Sequence, residues 1–151
     1  MIRVLVVGAG GREHALVWGL ARSPVVDEIV CAPGNPGMAE LGECRAVDPV
    51  DPAAVAALAD ELDADLTVVG PEDPLVAGVV DAVTARGRLA FGPARSAARL
   101  EGSKAWMKDV LAAAGVPTAR FGAFTDAAAA LAVLDTLPGL YVVKTNALAA
   151  G

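Results

Sequence analysis

A chain of 151 residues has room for one domain with a substantial core and a piece of a second. Its composition, 55% apolar but only 4% aromatic, suits an α/β protein with a core of Val, Leu and Ala. The formal charge of −6 argues against bulk attraction to nucleic acid or an anionic membrane, so a bound anion must be held by a local arrangement.

Ile2 to Val7 is a short apolar run rich in β-branched residues, the pattern of a strand buried on both faces. The turn Gly8-Ala9-Gly10-Gly11 leads into a predicted helix from Arg12 to Arg22, closed by Ser23-Pro24. Glu28 to Ala32 reads as a second strand, followed by the turn Pro33-Gly34-Asn35-Pro36-Gly37. Asp51 to Leu62 is alanine-rich and helical, with Pro52 suited to the first turn. Leu66 to Val69 is the next strand, ending in Gly70-Pro71-Glu72-Asp73-Pro74. A helix from Leu75 to Arg86 and a strand from Leu89 to Phe91 follow. This alternation predicts an α/β fold with a doubly wound parallel sheet and right-handed crossovers.

Beyond residue 101 the pattern changes. Ser103 to Ala114 reads as an amphipathic helix carrying Lys104 and Lys108, and Gly115-Val116-Pro117 ends it. A strand at Arg120 to Phe124, a helix at Asp126 to Leu137 and a strand at Tyr141 to Lys144 complete the expectation. A unit this small makes a poor independent sheet, so it is expected to be the truncated start of a further domain. The expected organisation is residues 1–101, a connecting helix at 102–118, and 119–151.

Met1-Ile2-Arg3 runs straight into the first strand without a leader pattern, and no apolar run reaches the roughly 18 residues of a membrane span. The expected location is cytoplasmic, with neither nucleic acid nor membrane as a partner. Cys31 and Cys44 have no metal-ligand spacing and are expected to be reduced, buried thiols.

Ligands of doubly wound sheets bind at the carboxyl ends of the strands, where three loops are distinctive: 8–13, 33–37 and 70–74. Glycines at a strand-to-helix turn let backbone N–H groups approach an anion; in the simpler alternative they only permit a tight turn. Arg12 suits a charge-assisted bond to a phosphate. A dinucleotide fits poorly, because the third glycine of G-x-G-x-x-G is replaced by Glu13 and the second strand lacks a terminal acidic residue. A smaller phosphorylated ligand fits better, with Glu13 free to bond a hydroxyl or an amine. His14 reads as a structural hydrogen-bonding residue, since no catalytic partner for it can be named. Lys104 alone is ambiguous, whereas Lys144 ends an apolar strand before a small-residue loop, a position suited to a phosphate.

The segments VLVVGAGGREHAL, APGNPGMA, DLTVVGPEDPLVAGVVD, FGPARSAARLEGSKAWMKDVL and GVPTARF, in this order and spacing, resemble the glycinamide ribonucleotide synthetase family of the ATP-grasp superfamily. The resemblance runs from Met1 to about Phe121 and implies a Rossmann-like amino-terminal domain followed by the start of an ATP-grasp domain. It implies ligation of glycine to 5-phosphoribosylamine with ATP, through glycyl phosphate, in purine synthesis. By resemblance, Gly8, Gly10, Gly11, Arg12, Glu13, Asn35, Gly37, Gly70, Pro71 and Glu72 line the phosphoribosylamine site.

Lys104 in EGSK and Lys144 in YVVK would contact ATP phosphates. No catalytic residue and no metal ligand is assignable in this portion; those for Mg2+ or Mn2+, like the adenine and glycine sites, would lie beyond Gly151. Thr145, Asn146 and Ala147 stand where the family pattern has Ala, Asp and Gly, which restricts positive φ in the lid loop. The expectation is an amino-terminal portion of the ligase, inactive alone. The alternatives are a standalone phosphosugar-binding module and an NAD(P)-binding protein.

Overall fold

A computed structural model describes residues 1–146, which divide into two compact units, Met1–Ala98 and the residues from Arg99 onward. In the first unit, β1 (Arg3–Gly8), β2 (Glu28–Pro33), β3 (Glu43–Cys44), β4 (Leu66–Val69) and β5 (Leu89–Phe91) form one parallel sheet in the order β3-β2-β1-β4-β5. The expected doubly wound sheet is therefore present. Chain order reverses at β1, whose neighbours are β2 on one side and β4 on the other. That places the topological switch point between β1 and β4.

Both faces of the sheet are covered, which is why β1 is a continuous apolar run. On one face, Leu5, Val7, Val30, Ala32 and Val69 pack against α2 (Pro52–Glu61) and α4 (Val79–Ala85) through Val55, Ala56, Leu58, Ala59, Val79 and Val83. On the other, Val4, Val6, Ile29, Cys31 and Val68 meet Val17 of α1 (Gly11–Leu20) and Met38 of a 3-10 turn at Met38–Glu40. Pro52 opens α2, and Asp51 caps it by accepting from the N–H groups of Ala53 and Ala54.

Three local features differ from the sequence reading. The helix expected from Leu75 starts at Glu72 and is broken by Gly78, whose φ of +101° ends α3 (Glu72–Ala77) before α4 begins. β3 is too short for any periodicity to announce it. Helix α5 (Arg95–Gly102) has no counterpart among the expected elements; its start is fixed by Asp81, which accepts from the Arg95 N–H at 2.7 Å.

From Arg99 onward the predicted helices form but the predicted strands do not. Helix α6 (Lys104–Ala113) is capped by Ser103, and α7 (Ala127–Leu134) by Asp126. Arg120 to Phe124 and Tyr141 to Lys144 are irregular and exposed. A helix satisfies its own backbone, whereas a strand needs a neighbour, and no neighbour exists for these segments among the described residues. Lys108 holds the first of them by donating to Thr118 Oγ1 and the Ala119 carbonyl, with its ammonium 5.5 Å from the Phe121 ring centroid. The expected restriction of the lid loop at Ala147 lies outside the described residues. No helix among the described residues is long and apolar enough to cross a membrane.

Candidate functional site

All ten residues expected around the phosphoribosylamine site fall at the carboxyl end of the sheet: at the end of β1, on the loops after β1, β2 and β4, and in the first turns of α1 and α3. The end of β1 is bonded to both neighbours. The Gly34 N–H donates to the Gly8 carbonyl and the Gly70 N–H to the Val7 carbonyl, both at 3.2 Å. Side chains tighten the same junction. Asn35 Nδ2 donates to the Ala9 carbonyl at 2.9 Å, while its Oδ1 accepts from the Met38 N–H at 3.0 Å and starts the 3-10 turn.

Glu13 lies under this junction. It is only 3% exposed, and its Oε2 accepts from the Gly10 N–H at 2.8 Å, one half of a capping box for α1. The surrounding glycines make room for it. A Cβ on Gly8 would lie 2.7 Å from Glu13 Cγ and 2.8 Å from Pro71 Cγ, and one on Gly70 would lie 2.5 Å from Glu13 Cγ. Gly8 also holds a φ of +128°, open to glycine alone at ordinary cost. Burial and the helix cap thus engage Glu13 from within, through its Oε2. The signal was legible as Gly10-x-x-Glu13, an acceptor three residues after an N-cap position.

Arg12 bridges the switch point. Its Nη1 donates to Glu72 Oε1 at 2.9 Å and to the Gly70 carbonyl at 3.1 Å, joining the loop after β1 to the loop after β4. The Glu72 carboxyl is held below its ordinary value, first by its own backbone N–H and then by Arg12. Both residues are conspicuous in the sequence, but their ion pair is not, because it spans 60 positions in the chain and is set by sheet order. A Cβ added at Gly11 would meet nothing within 4 Å, so this position in the first turn of α1 faces open space.

His14 rests on the loop after β2: a Cβ on Gly37 would come within 3.0 Å of its Nδ1. Its ring packs closely against Gly37. Beside it lies an open groove of about 340 Å³ lined by Gly11, His14, Ala15 and Trp18. A smaller cavity of about 190 Å³, lined by Met1, Arg3, Asp63 and Asp65, sits at the other end of the strands, away from these loops.

Lys104 and Lys144 belong to the second unit. The segments that carry them meet at Asn146. Its backbone carbonyl accepts from the Lys104 N–H at 3.2 Å, and its Oδ1 accepts from the Ala105 N–H at 2.8 Å. The start of α6 is thereby bonded to the stretch just after Lys144. No group of three or more His, Cys, Asp or Glu residues among those described could hold a metal ion.

Cys31 is buried as expected, but Cys44 is exposed, because β3 is a two-residue edge strand with no cover beyond it.

Comparison with known proteins gives a consistent picture. Residues 2–101 match the family model of the phosphoribosylglycinamide synthetase N domain, and residues 102–151 match that of its ATP-grasp (A) domain. The chain is 56% identical over 150 residues to a phosphoribosylamine–glycine ligase of Streptomyces coelicolor, covering 99% of this chain and 36% of that protein. It is 50% identical over 150 residues to the ligase of the same name from Caulobacter vibrioides, with 99% and 35% covered. Among solved structures, phosphoribosylamine–glycine ligase from Thermotoga maritima superposes with a TM-score of 0.73 at 27% identity, over 97% of this chain and 34% of that one. The chain thus spans about a third of the length of the relatives it matches.

Proposed function

The chain belongs to the phosphoribosylglycinamide synthetase family, and from that premise we propose that it serves the ATP-dependent ligation of glycine to 5-phosphoribosylamine. In this reading glycine's carboxylate takes the γ-phosphoryl group of ATP, releasing ADP. The amine of phosphoribosylamine then attacks the glycyl carbonyl and displaces phosphate, giving glycinamide ribonucleotide for purine synthesis. The 151 residues, a third of the relatives' length, are expected to give no ligation when assayed alone.

The observation that carries the reading is the junction of three loops at the switch point, with an open first turn at Gly11 beside the Arg12 guanidinium. The N–H groups of that turn and Arg12 suit the phosphate of phosphoribosylamine. Asn35, Gly37, Gly70, Pro71 and Glu72 shape the surrounding pocket, with Glu72 holding Arg12 in place. Glu13, with Gly8 and Gly10 around it, acts from beneath by fixing the loop rather than by touching the sugar. Lys104 and Lys144 are assigned to ATP phosphates, a pair of cations whose segments are joined through Asn146. The described residues offer no group fitted to Mg2+, so no metal-dependent step is assigned to them. A cytoplasmic location accords with this chemistry.

Titration calorimetry with ribose 5-phosphate, or a stable phosphoribosylamine analogue, tests the site. The phosphosugar is expected to bind and NAD is not. Arg12→Ala is expected to weaken phosphosugar binding by about 1.5–3 kcal/mol, the worth of a charge-assisted hydrogen bond. Binding of NAD without the phosphosugar would overturn the assignment of these loops.

A further inference from the structure

Cys31 and Cys44 take no part in the site just described, yet the sheet sets them side by side. They are register partners in the parallel pairing of β2 with β3. Adjacent strands lie about 4.8 Å apart, within the roughly 4.4–6.8 Å that separates the Cα atoms of a disulfide. A Cβ on Gly34 would meet Cys44 Sγ at 2.5 Å and Cys31 Cβ at 3.0 Å, so both cysteines border the same small space. Their surroundings differ. Cys31 is fully buried and Cys44 is exposed, its Sγ 3.9 Å from the Asn35 carbonyl oxygen. Burial, and then the neighbouring Cys44, push the Cys31 thiol up to about 11.

We propose that Cys31 and Cys44 form an oxidisable pair that closes to an intramolecular disulfide when the protein meets a peroxide. Cys44, the accessible member, attacks one peroxide oxygen as its thiolate. The O–O bond breaks, Cys44 becomes a sulfenic acid, and the departing hydroxide takes up a proton to leave as water. The Cys31 sulfur then attacks the Cys44 sulfur. An S–S bond forms, the S–O bond breaks, and the hydroxyl leaves as a second water with the proton that Cys31 gives up. The two thiols lose two electrons and the peroxide gains them. Burial protects Cys31 from direct attack, so the order of the two steps follows from the geometry. The bond would fasten β3 to β2 where only two residue pairs, Val30 with Glu43 and Cys31 with Cys44, join them.

The test reads covalent chemistry, so it stands or falls independently of any phosphosugar titration. Purified protein is treated with a small excess of hydrogen peroxide under native conditions. The expected result is loss of both thiols in a denaturing thiol titration, a monomer on a non-reducing gel, and a cross-linked Cys31–Cys44 peptide by mass spectrometry. Dithiothreitol should restore both thiols. In Cys31→Ser, Cys44 should stop at the sulfenic acid and be trapped by dimedone; in Cys44→Ser, Cys31 should keep its thiol through the same exposure. A dimedone adduct on Cys44 beside an intact Cys31 thiol in the unmodified sequence would overturn the proposal. So would a Cys44–Cys44 dimer, or survival of both thiols.

Discussion

The unit from Met1 to Ala98 buries side chains on both faces of its sheet, whereas residues 99–146 contain no fully buried residue. Both stretches carry apolar runs and alanine-rich helices, so composition does not separate them. What separates them is partnership. In the first unit each strand meets a neighbour, and each sheet face meets a helix or turn. In the second, α6 and α7 satisfy their own backbones while Leu140, Tyr141, Val142 and Val143 remain exposed. Local sequence is enough to propose a strand; a second strand is needed to make one.

This contrast can be broken by experiment, because the two tryptophans report one unit each: Trp18 lies in α1 and Trp106 in α6. Single-tryptophan variants followed in urea are expected to give separate transitions for the two units.

The largest effect is expected from Gly8→Ala. The new methyl meets Glu13 and Pro71 while the backbone stays at positive φ, which together cost about 3–5 kcal/mol in the Trp18 transition. A loss below about 1 kcal/mol would show that the loop relaxes freely around Glu13. Leu5→Ala is next, at about 3 kcal/mol, because Leu5 is fully buried in the middle of β1. Its counterpart Leu131→Ala, on the exposed side of α7, should change the Trp106 transition by less than about 0.5 kcal/mol. Equal costs for the two leucines would erase the contrast between the units.

Thr67→Val should act in the opposite direction. Thr67 Oγ1 is fully buried and has no hydrogen-bond partner among the described residues, so replacing the hydroxyl by a methyl should raise stability by about 1 kcal/mol. The smallest effect is expected from acid. Hydrogen bonds from Arg88 and then Arg86 hold the Asp60 carboxyl below its ordinary value of 3.8, and Glu72 is likewise held below 4.5. A depressed carboxyl contributes stability above its unfolded value and loses it as pH falls through the folded one. The urea midpoint reported by Trp18 should therefore decline as pH drops below these ordinary values, and Asp60→Asn should flatten the decline.

Much of the first unit was legible from residue types alone. Continuous β-branched runs marked β1, β2 and β4, and Asp51-Pro52 announced the start of α2. The glycine loops marked the carboxyl edge of the sheet because they follow strands. The break at Gly78 was harder to see, since one glycine inside an apolar helix pattern is compatible with either continuation or a stop.

The sequence by itself determined which residues form local elements, because helix periodicity, caps and buried-strand runs depend on neighbours along the chain. It also placed the chain within its family through motifs kept in order. Only the tertiary structure decided what those motifs do to one another. Strand order brought Arg12 to Glu72, made Gly8 and Gly70 the walls around a buried Glu13, and set Cys44 beside Cys31. Each of these contacts depends on which strands become neighbours, and pairing across a sheet is not fixed by any local preference.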